Sequence, residues 1–471
     1  MDPVAPRPTR TWFAYVAILV VALALLYWIE ADGSALVANA PAGRARFGDG
    51  AGGGRVEPLP HVLVALLAIL LASRLLGALF RRLHQPAVIG EVVAGIALGP
   101  SLLGRVAPDA YAWLLPPSVS PFLGLLAQVG VILFMFVIGL ELDARRLRER
   151  SHTTIAISHA SIVVPFLCGA ALALYLYPRL ATADVPFLAF SLFLGVSMSV
   201  TAFPVLARIL GDRGWQGTRL GTIALTCAAV DDVTAWCLLA AVVGVVQANF
   251  DRALATVALT LVYVAVMLVV VRPLAVRWIA RLDPREPGPG LLWLAGVALL
   301  SSALATEAIG VHAVFGAFLL GVIVPHDAPV VVELRRRVEG LVVTLFLPAF
   351  FAFTGMRTEI GLLHDAEHWC WCALILLVAT AGKFGGSYAA ARFTGMSPRD
   401  AASIGVLMNT RGLMELIVLN IGLDLHVLSP TLFAMMVIMA VLTTLATTPL
   451  LDLLHRRRLP AGSAVPPAPA R

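Results

Sequence analysis

The chain contains almost no lysine: 33 of its 34 basic residues are arginine, and the single lysine is Lys383. Charge of either sign is scarce, at 13% of residues, where an ordinary soluble domain carries roughly a quarter. Cysteine is sparse and odd in number, with Cys168, Cys227, Cys237, Cys370 and Cys372 lying mostly within apolar stretches. That excludes a disulfide framework, and the Cys370/Cys372 pair lacks the further ligands a structural metal would need. No motif asks for a cofactor.

Hydrophobic residues make up 59% of the 471-residue chain, in apolar runs that recur from end to end. A run of about 20 apolar residues crosses a hydrocarbon core of roughly 30 Å. No soluble core absorbs so many, so the chain reads as an all-α polytopic membrane protein. The net charge of +6 has a topological explanation, because the arginines sit in short loops. Nucleic acid is therefore not an expected partner; the lipid bilayer is.

Fourteen apolar segments are expected, at 11–30, 61–80, 86–104, 121–142, 153–175, 185–210, 219–246, 253–280, 288–306, 308–325, 341–356, 369–391, 401–423 and 429–454. The simplest layout is one extra helix followed by thirteen. Alternate loops carry Arg81/Arg82, Arg145–Arg150, Arg213/Arg219, Arg281/Arg285, Arg335–Arg337, Arg392/Arg399 and Arg456–Arg458. Beyond the first loop, the opposite loops hold only scattered Arg105, Arg179, Arg252 and Arg357. The arginine-rich side is cytoplasmic by the positive-inside rule, which puts the C-terminus inside and the first loop outside a cell inner membrane. Residues 1–59 then form an N-terminal hydrophobic segment and loop, 60–456 the transmembrane domain, and 457–471 a short cytoplasmic tail. The first segment reads either as a signal peptide, with a cleavage-like Ala38-Asn39-Ala40, or as an uncleaved anchor with interfacial Tyr27 and Trp28.

Thirteen helices divide as six, one linker and six, which makes the second six inverted relative to the first. Residues 134–141 can be laid over 350–357 in support. Inverted repeats of this kind belong to secondary transporters with a site near the bilayer midplane.

Charges deep in a spanning helix cost about 2.5–3.5 kcal/mol each on insertion scales, so they are functional candidates by default. Asp231 and Asp232 fall midway along an apolar segment. Adjacent helical residues point about 100° apart, so the two carboxylates serve different tasks. One can meet a countercharge while the other faces a small cation; the bland alternative is an ion pair that only fixes packing. Lys383 and Arg411 are the deepest cations available, and Glu415 is placed to partner Arg411. An ammonium can release its proton on burial, whereas a guanidinium effectively cannot.

Two apolar segments are interrupted. The first break carries Ser197, Ser199, Thr201 and Pro204, and the second carries Asn409, Thr410, Arg411 and Gly412. Unwound backbone at membrane depth is tolerated where it is buried or lines a cavity, and paired interruptions point to a transport site. Glu91 and Glu141 are weaker candidates near helix ends. His312 reads as a hydrogen-bonded core histidine, and Gly90, Gly95, Gly99, Gly316 and Gly321 as positions of close helix packing.

Four motifs in order resemble the cation:proton antiporter-2 family: residues 201–210, the Asp231-Asp232 stretch, 310–318 and 408–416. The similarity runs from about His61 to Leu454 and is strongest to the branch holding plant cation/proton exchangers and their bacterial relatives. It implies a core of crossed, broken helices moving against a dimerisation domain, in a homodimer that exchanges Na+ or K+ for H+ and is not an enzyme. It further implies that Asp232 takes cation and proton alternately, that Asp231 pairs with Lys383, and that Thr201 and Ser199 help complete the cation shell. Arg411 and Glu415 would compensate charge. Release of a second proton by Lys383 would make exchange electrogenic.

Two departures leave Na+ against K+ open: Ala202 follows the threonine where many sodium-selective relatives are acidic, and Asp-Asp stands where potassium-transporting plant relatives have Asn-Asp. Because the sequence stops shortly after Arg458, regulation through an appended nucleotide-binding domain is not expected. A channel-like potassium efflux pathway is the alternative. An intramembrane aspartyl protease lacks its Gly-x-Gly-Asp signature here.

Overall fold

The computed structural model describes residues 8–38, 58–141, 152–215, 217–247, 250–281, 289–325 and 327–455. Asn39 and Ala40 of the cleavage-like stretch, Arg145–Arg150, Arg285, Arg456–Arg458 and the 457–471 tail lie outside these residues. In chain order the helices are α1 (Pro8–Gly33), α2 (Pro58–Arg82), α3 (Ala87–Leu98), α4 (Leu103–Val106), α5 (Pro108–Leu114), α6 (Ser120–Glu141) and α7 (His152–Leu180). Then come α8 (Phe187–Ser199), α9 (Phe203–Asp212), α10 (Arg219–Gln247), α11 (Phe250–Val266), α12 (Arg272–Ile279), α13 (Pro289–Ile309) and α14 (Ala313–Ile323). The last are α15 (Pro329–Leu341), α16 (Leu347–Arg357), α17 (Ala366–Phe393), α18 (Pro398–Met408), α19 (Leu413–Asp424) and α20 (Pro430–His455).

Among the described residues, 11 helices are long and apolar enough to cross a membrane. The other expected segments correspond to α1, the short α14 and the interrupted α18–α19. The largest boundary difference from expectation concerns α15. Arg335–Arg337 lie not in a loop but on α15, which runs through a π turn (Val342–Phe346) into α16. Glu333 holds Arg336 and Arg337 at 2.8 Å each, so the exposed turn is stitched along its own surface. A second π turn, Met267–Val271, joins α11 to α12. Each is followed within two residues by a proline, Pro348 or Pro273, at the head of the next helix. Proline has no N–H for the preceding turn, and the wider spacing absorbs the misfit.

Packing sorts the helices into two bodies. In one, α3 lies on α2 and α16 while α14 lies on α6 and α13. In the other, α7 packs on α8, α10 and α17, while α17 and α20 pack on α18. Small residues permit the closest approaches. A Cβ at Gly95 would run into the Ala352 carbonyl of α16, and one at Gly321 into the Phe136 carbonyl of α6. We refer to the first body as the scaffold and the second as the core.

Both expected breaks lie in the core, against each other. At the first, α8 ends at Ser199, and Val200 and Ala202 are extended before α9 begins. Pro204 cannot donate to the Val200 carbonyl, so the helix cannot run through. At the second, residues 409–412 separate α18 from α19. The Ala202 amide donates to the Thr410 carbonyl at 3.0 Å, joining the two breaks through main chain. Gly412 sits where a Cβ would come 2.7 Å from Cγ2 of Val205, so the crossing depends on its bare backbone.

Candidate functional site

Helix α8 stops inside the protein, and its last four carbonyls need donors that no solvent supplies. Each one has a donor. Val196 O accepts from the Ser199 hydroxyl at 2.8 Å. Ser197 O and Met198 O accept from Nη1 and Nη2 of Arg411, at 2.9 and 2.8 Å. Ser199 O accepts from Lys383 Nζ in a short hydrogen bond. Two cations from the second half of the chain therefore sit at the negative end of a helix from the first half.

Lys383, on α17, is fully buried and uses all three ammonium protons. Besides Ser199 O it donates to Ser161 O at 2.8 Å and to Asp231 Oδ2 at 3.5 Å. Arg411, also fully buried, donates through Nη1 to Glu415 Oε2 at 3.0 Å, one helical turn away. Its backbone is tied to α20, where the Thr444 hydroxyl accepts from Arg411 N at 3.0 Å and donates to Arg411 O at 2.7 Å.

Asp231 and Asp232 are adjacent on α10, with relative exposures of 0% and 1%. Their surroundings differ sharply. Asp231 Oδ1 accepts from Ser158 at 2.8 Å, and Oδ2 accepts from Ser161 at 2.6 Å and Thr201 at 2.9 Å, besides Lys383. Three hydroxyls and an ammonium thus serve one carboxylate. Asp232 has neither oxygen hydrogen-bonded. Asn409 Oδ1, at the second break, is likewise buried without a donor.

Of the residues expected to form the site, the structure brings Asp231, Lys383 and Thr201 into one hydrogen-bonded group and Arg411 with Glu415 into a second. The two groups share the end of α8. Thr201 serves Asp231 rather than Asp232, and its hydroxyl also lies 3.2 Å from Met408 O across the crossing. The Ser199 side chain turns back onto its own helix, so only its carbonyl belongs to the cluster. Ser158 and Ser161 on α7 were missed; their signal was two hydroxyls three residues apart on an apolar helix. His312 caps α14, its Nδ1 accepting from Val314 N at 3.4 Å. Glu91 lies on α3 and Glu141 ends α6, both in the scaffold and away from this cluster.

A cavity of about 330 Å³ opens between scaffold and core at the arginine-poor end, and another of about 420 Å³ at the arginine-rich end. Neither is lined by an aspartate of the pair.

Known proteins share this chain's sequence pattern and fold. Residues 63–453 match the family profile described as sodium/hydrogen exchanger, transmembrane. The chain is 44% identical over 393 residues to the Na(+)/H(+) antiporter NhaS4 of Synechocystis, covering 83% of this chain and 96% of that one. It is 39% identical to cation/H(+) antiporter 20 of Arabidopsis thaliana (83% of this chain, 48% of that one). To the K(+)/H(+) antiporter 1 of Saccharomyces cerevisiae it is 34% identical (85% and 47%). The chain thus spans about half the length of these plant and yeast relatives. The sodium proton antiporter MjNhaP1 of Methanocaldococcus jannaschii, solved at pH 8, superposes with a TM-score of 0.61 at 13% identity, over 84% of this chain and 100% of that one, a likeness of fold. The family resemblance carried by the four motifs therefore holds: the chain belongs to the sodium/hydrogen exchanger family and is a multi-pass membrane transporter, not an enzyme.

Proposed function

We propose that this chain exchanges a monovalent cation, Na+ or K+, for protons by alternating access, with Asp232 holding cation and proton in turn. The observation that carries this reading is the contrast between neighbours on α10. Asp231 is served by four donors, so it is committed to Lys383 and the hydroxyls around it. Asp232 has an equally buried carboxyl group with no donor. Leaving such a group unsatisfied costs about 1–3 kcal/mol, and more when it is charged. A proton or a small cation removes that cost, and only one can do so at a time. Competition for one carboxyl group couples the two fluxes.

The order of elements supports a six-plus-one-plus-six inverted repeat. The first six are α2, α3, α6, α7, α8–α9 and α10; the linker is α11–α12; the second six are α13, α14, α15–α16, α17, α18–α19 and α20. In each half the first three elements fall in the scaffold and the last three in the core. Each half also supplies one break. On this reading α1 is the additional helix. The protein works as a homodimer in the plasma membrane with its C-terminus at the cytoplasmic face, and the core moves against the scaffold.

Proton flux in proteoliposomes, driven by imposed Na+, K+ or Li+ gradients and compared side by side, tests the assignment. Asp232→Asn should abolish exchange while the protein stays folded. Cation-driven proton flux that persists in this variant would refute the site. Cation flux with no linked proton movement would replace exchange by a channel-like pathway.

A further inference from the structure

The cavity at the arginine-poor end has an apolar floor and a polar mouth. Val131 of α6, Phe350 of α16 and Ile417 of α19 contribute to the floor. Ile417 lies four residues into α19, about 6 Å along the helix from the second break. Arg357, Asn420 and Asp424 line the mouth, the first from the scaffold and the other two from the core. Seven residues, or about 10 Å of helix, separate Arg357 from Phe350 and Asp424 from Ile417.

Three hydrogen bonds cross the boundary between the bodies here. Arg357 Nη1 donates to Asn420 Oδ1 at 3.0 Å, and Nη2 donates to Asp424 Oδ1 at 2.6 Å. Asn420 Nδ2 donates back to the Thr354 hydroxyl of α16 at 2.8 Å. The Arg357 side chain is only 7% exposed, whereas Asp424 is 44% exposed. The guanidinium also lies 5.5 Å from the centre of the Phe353 ring. Just beyond Arg357, the Ser101 hydroxyl donates to Thr358 O at 2.8 Å and accepts from Ile360 N at 3.0 Å. The arginine is therefore fixed to the scaffold at its root and reaches across to the core at its tip.

We infer that Arg357 is a gating residue: its clasp on Asn420 and Asp424 holds scaffold and core together at the arginine-poor mouth and must open before the cation site faces that side. This rests on the exchange reading above. The clasp is made of charge and hydrogen bonds at a boundary where α16 and α19 otherwise touch sparingly. Such a contact can release into water with its polar groups still satisfied, which an apolar contact cannot do. Asp424 is also the carboxylate at the mouth, so an arriving cation meets an acid that the arginine already occupies.

The test uses the full chain with its five cysteines replaced by serine and Val131→Cys introduced at the floor, where Val131 is 3% exposed. Labelling by a membrane-impermeant maleimide is compared in this parent, in Arg357→Gln and in Asp424→Asn. Each variant should label about two- to fivefold faster, the range a partly exposed ion pair commands. The swapped pair Arg357→Asp with Asp424→Arg should return towards the parent rate. Equal labelling in parent and single variants, or a swap that labels as fast as they do, overturns the proposal. In exchange assays the single variants should lower the apparent KM for cation added at the arginine-poor side and raise it at the other. Equal changes on both sides would mark a purely structural contact. Labelling does not depend on transport, so its outcome and that of Asp232→Asn are read separately.

Discussion

The two breaks meet at one crossing, yet they are built on opposite electrostatic plans. The break after α8 contributes only neutral groups, and the last three carbonyls of that helix end on cations that come from elsewhere in the sequence. The break after α18 brings its own cation, Arg411, together with the acid that balances it, Glu415. Its carbonyls go to neutral donors: Met408 O to the Thr201 hydroxyl, Thr410 O to the Ala202 amide, and Arg411 O to Thr444. The first break is thus a negative helix end that needs charge, and the second is the support that supplies it. The two interruptions therefore do complementary work.

The severest way to break this plan is to remove Arg411. Arg411→Ala would strip two carbonyls of α8 and leave Glu415 buried without its partner. Truncating one member of a buried pair costs about 3–5 kcal/mol. The variant should therefore unfold well below the parent in a detergent thermal-shift assay. Arg411→Met combined with Glu415→Met sharpens the point, because replacing both charges with apolar groups avoids the unpaired acid. The double variant should recover much of the melting temperature but not all of it, since Ser197 O and Met198 O still lack donors. Full recovery would mean that Arg411 serves Glu415 alone.

A smaller effect is expected at Lys383. Lys383→Gln keeps a donor near Ser199 O and Ser161 O, and Asp231 retains three hydroxyls. The stability loss should be about 1–3 kcal/mol, the cost of a buried hydrogen-bonded group made imperfect. The informative reading is kinetic. Should the ammonium release a proton during the cycle, the variant loses the voltage sensitivity of exchange while Asp232 still binds cation. Unchanged voltage sensitivity would confine Lys383 to holding Asp231 and the end of α8.

Much of this was legible in the sequence because charge inside an apolar run is conspicuous. Asp231, Asp232, Lys383 and Arg411 stood out for that reason, and Glu415 followed from its spacing to Arg411. Neutral polar groups were harder to place. Ser158 and Ser161 were overlooked because a hydroxyl on an apolar helix commonly bonds to its own backbone, and Ser161 does lie 2.8 Å from Ser158 O. Ser199 is a second case: the sequence marks it as a candidate for the cation shell but does not say which of its groups is free. At the end of α8 its hydroxyl satisfies Val196 O while its carbonyl accepts from Lys383. The division between scaffold and core was legible only through family resemblance, since it depends on contacts between distant helices. The clasp was not visible at all, as Arg357 looked like one more scattered arginine on the poor side.

The mildest perturbation separates the two breaks without touching a charge. Thr201→Val keeps the shape of the side chain and removes the hydroxyl shared between Asp231 Oδ2 and Met408 O. Asp231 would still accept from Ser158, Ser161 and Lys383, so the loss should be about 0.5–1.5 kcal/mol, the net worth of one hydrogen bond. A small fall in melting temperature with exchange retained would place Thr201 in the support of Asp231. A large rise in cation KM with stability unchanged would instead place its hydroxyl against the transported ion. Thr201→Ser, which restores the donor without the methyl group, should behave like the parent in the first case and rescue cation affinity in the second. Because the valine leaves Asp231 with its ammonium and two hydroxyls, any loss of exchange larger than the loss of stability belongs to the cation site itself.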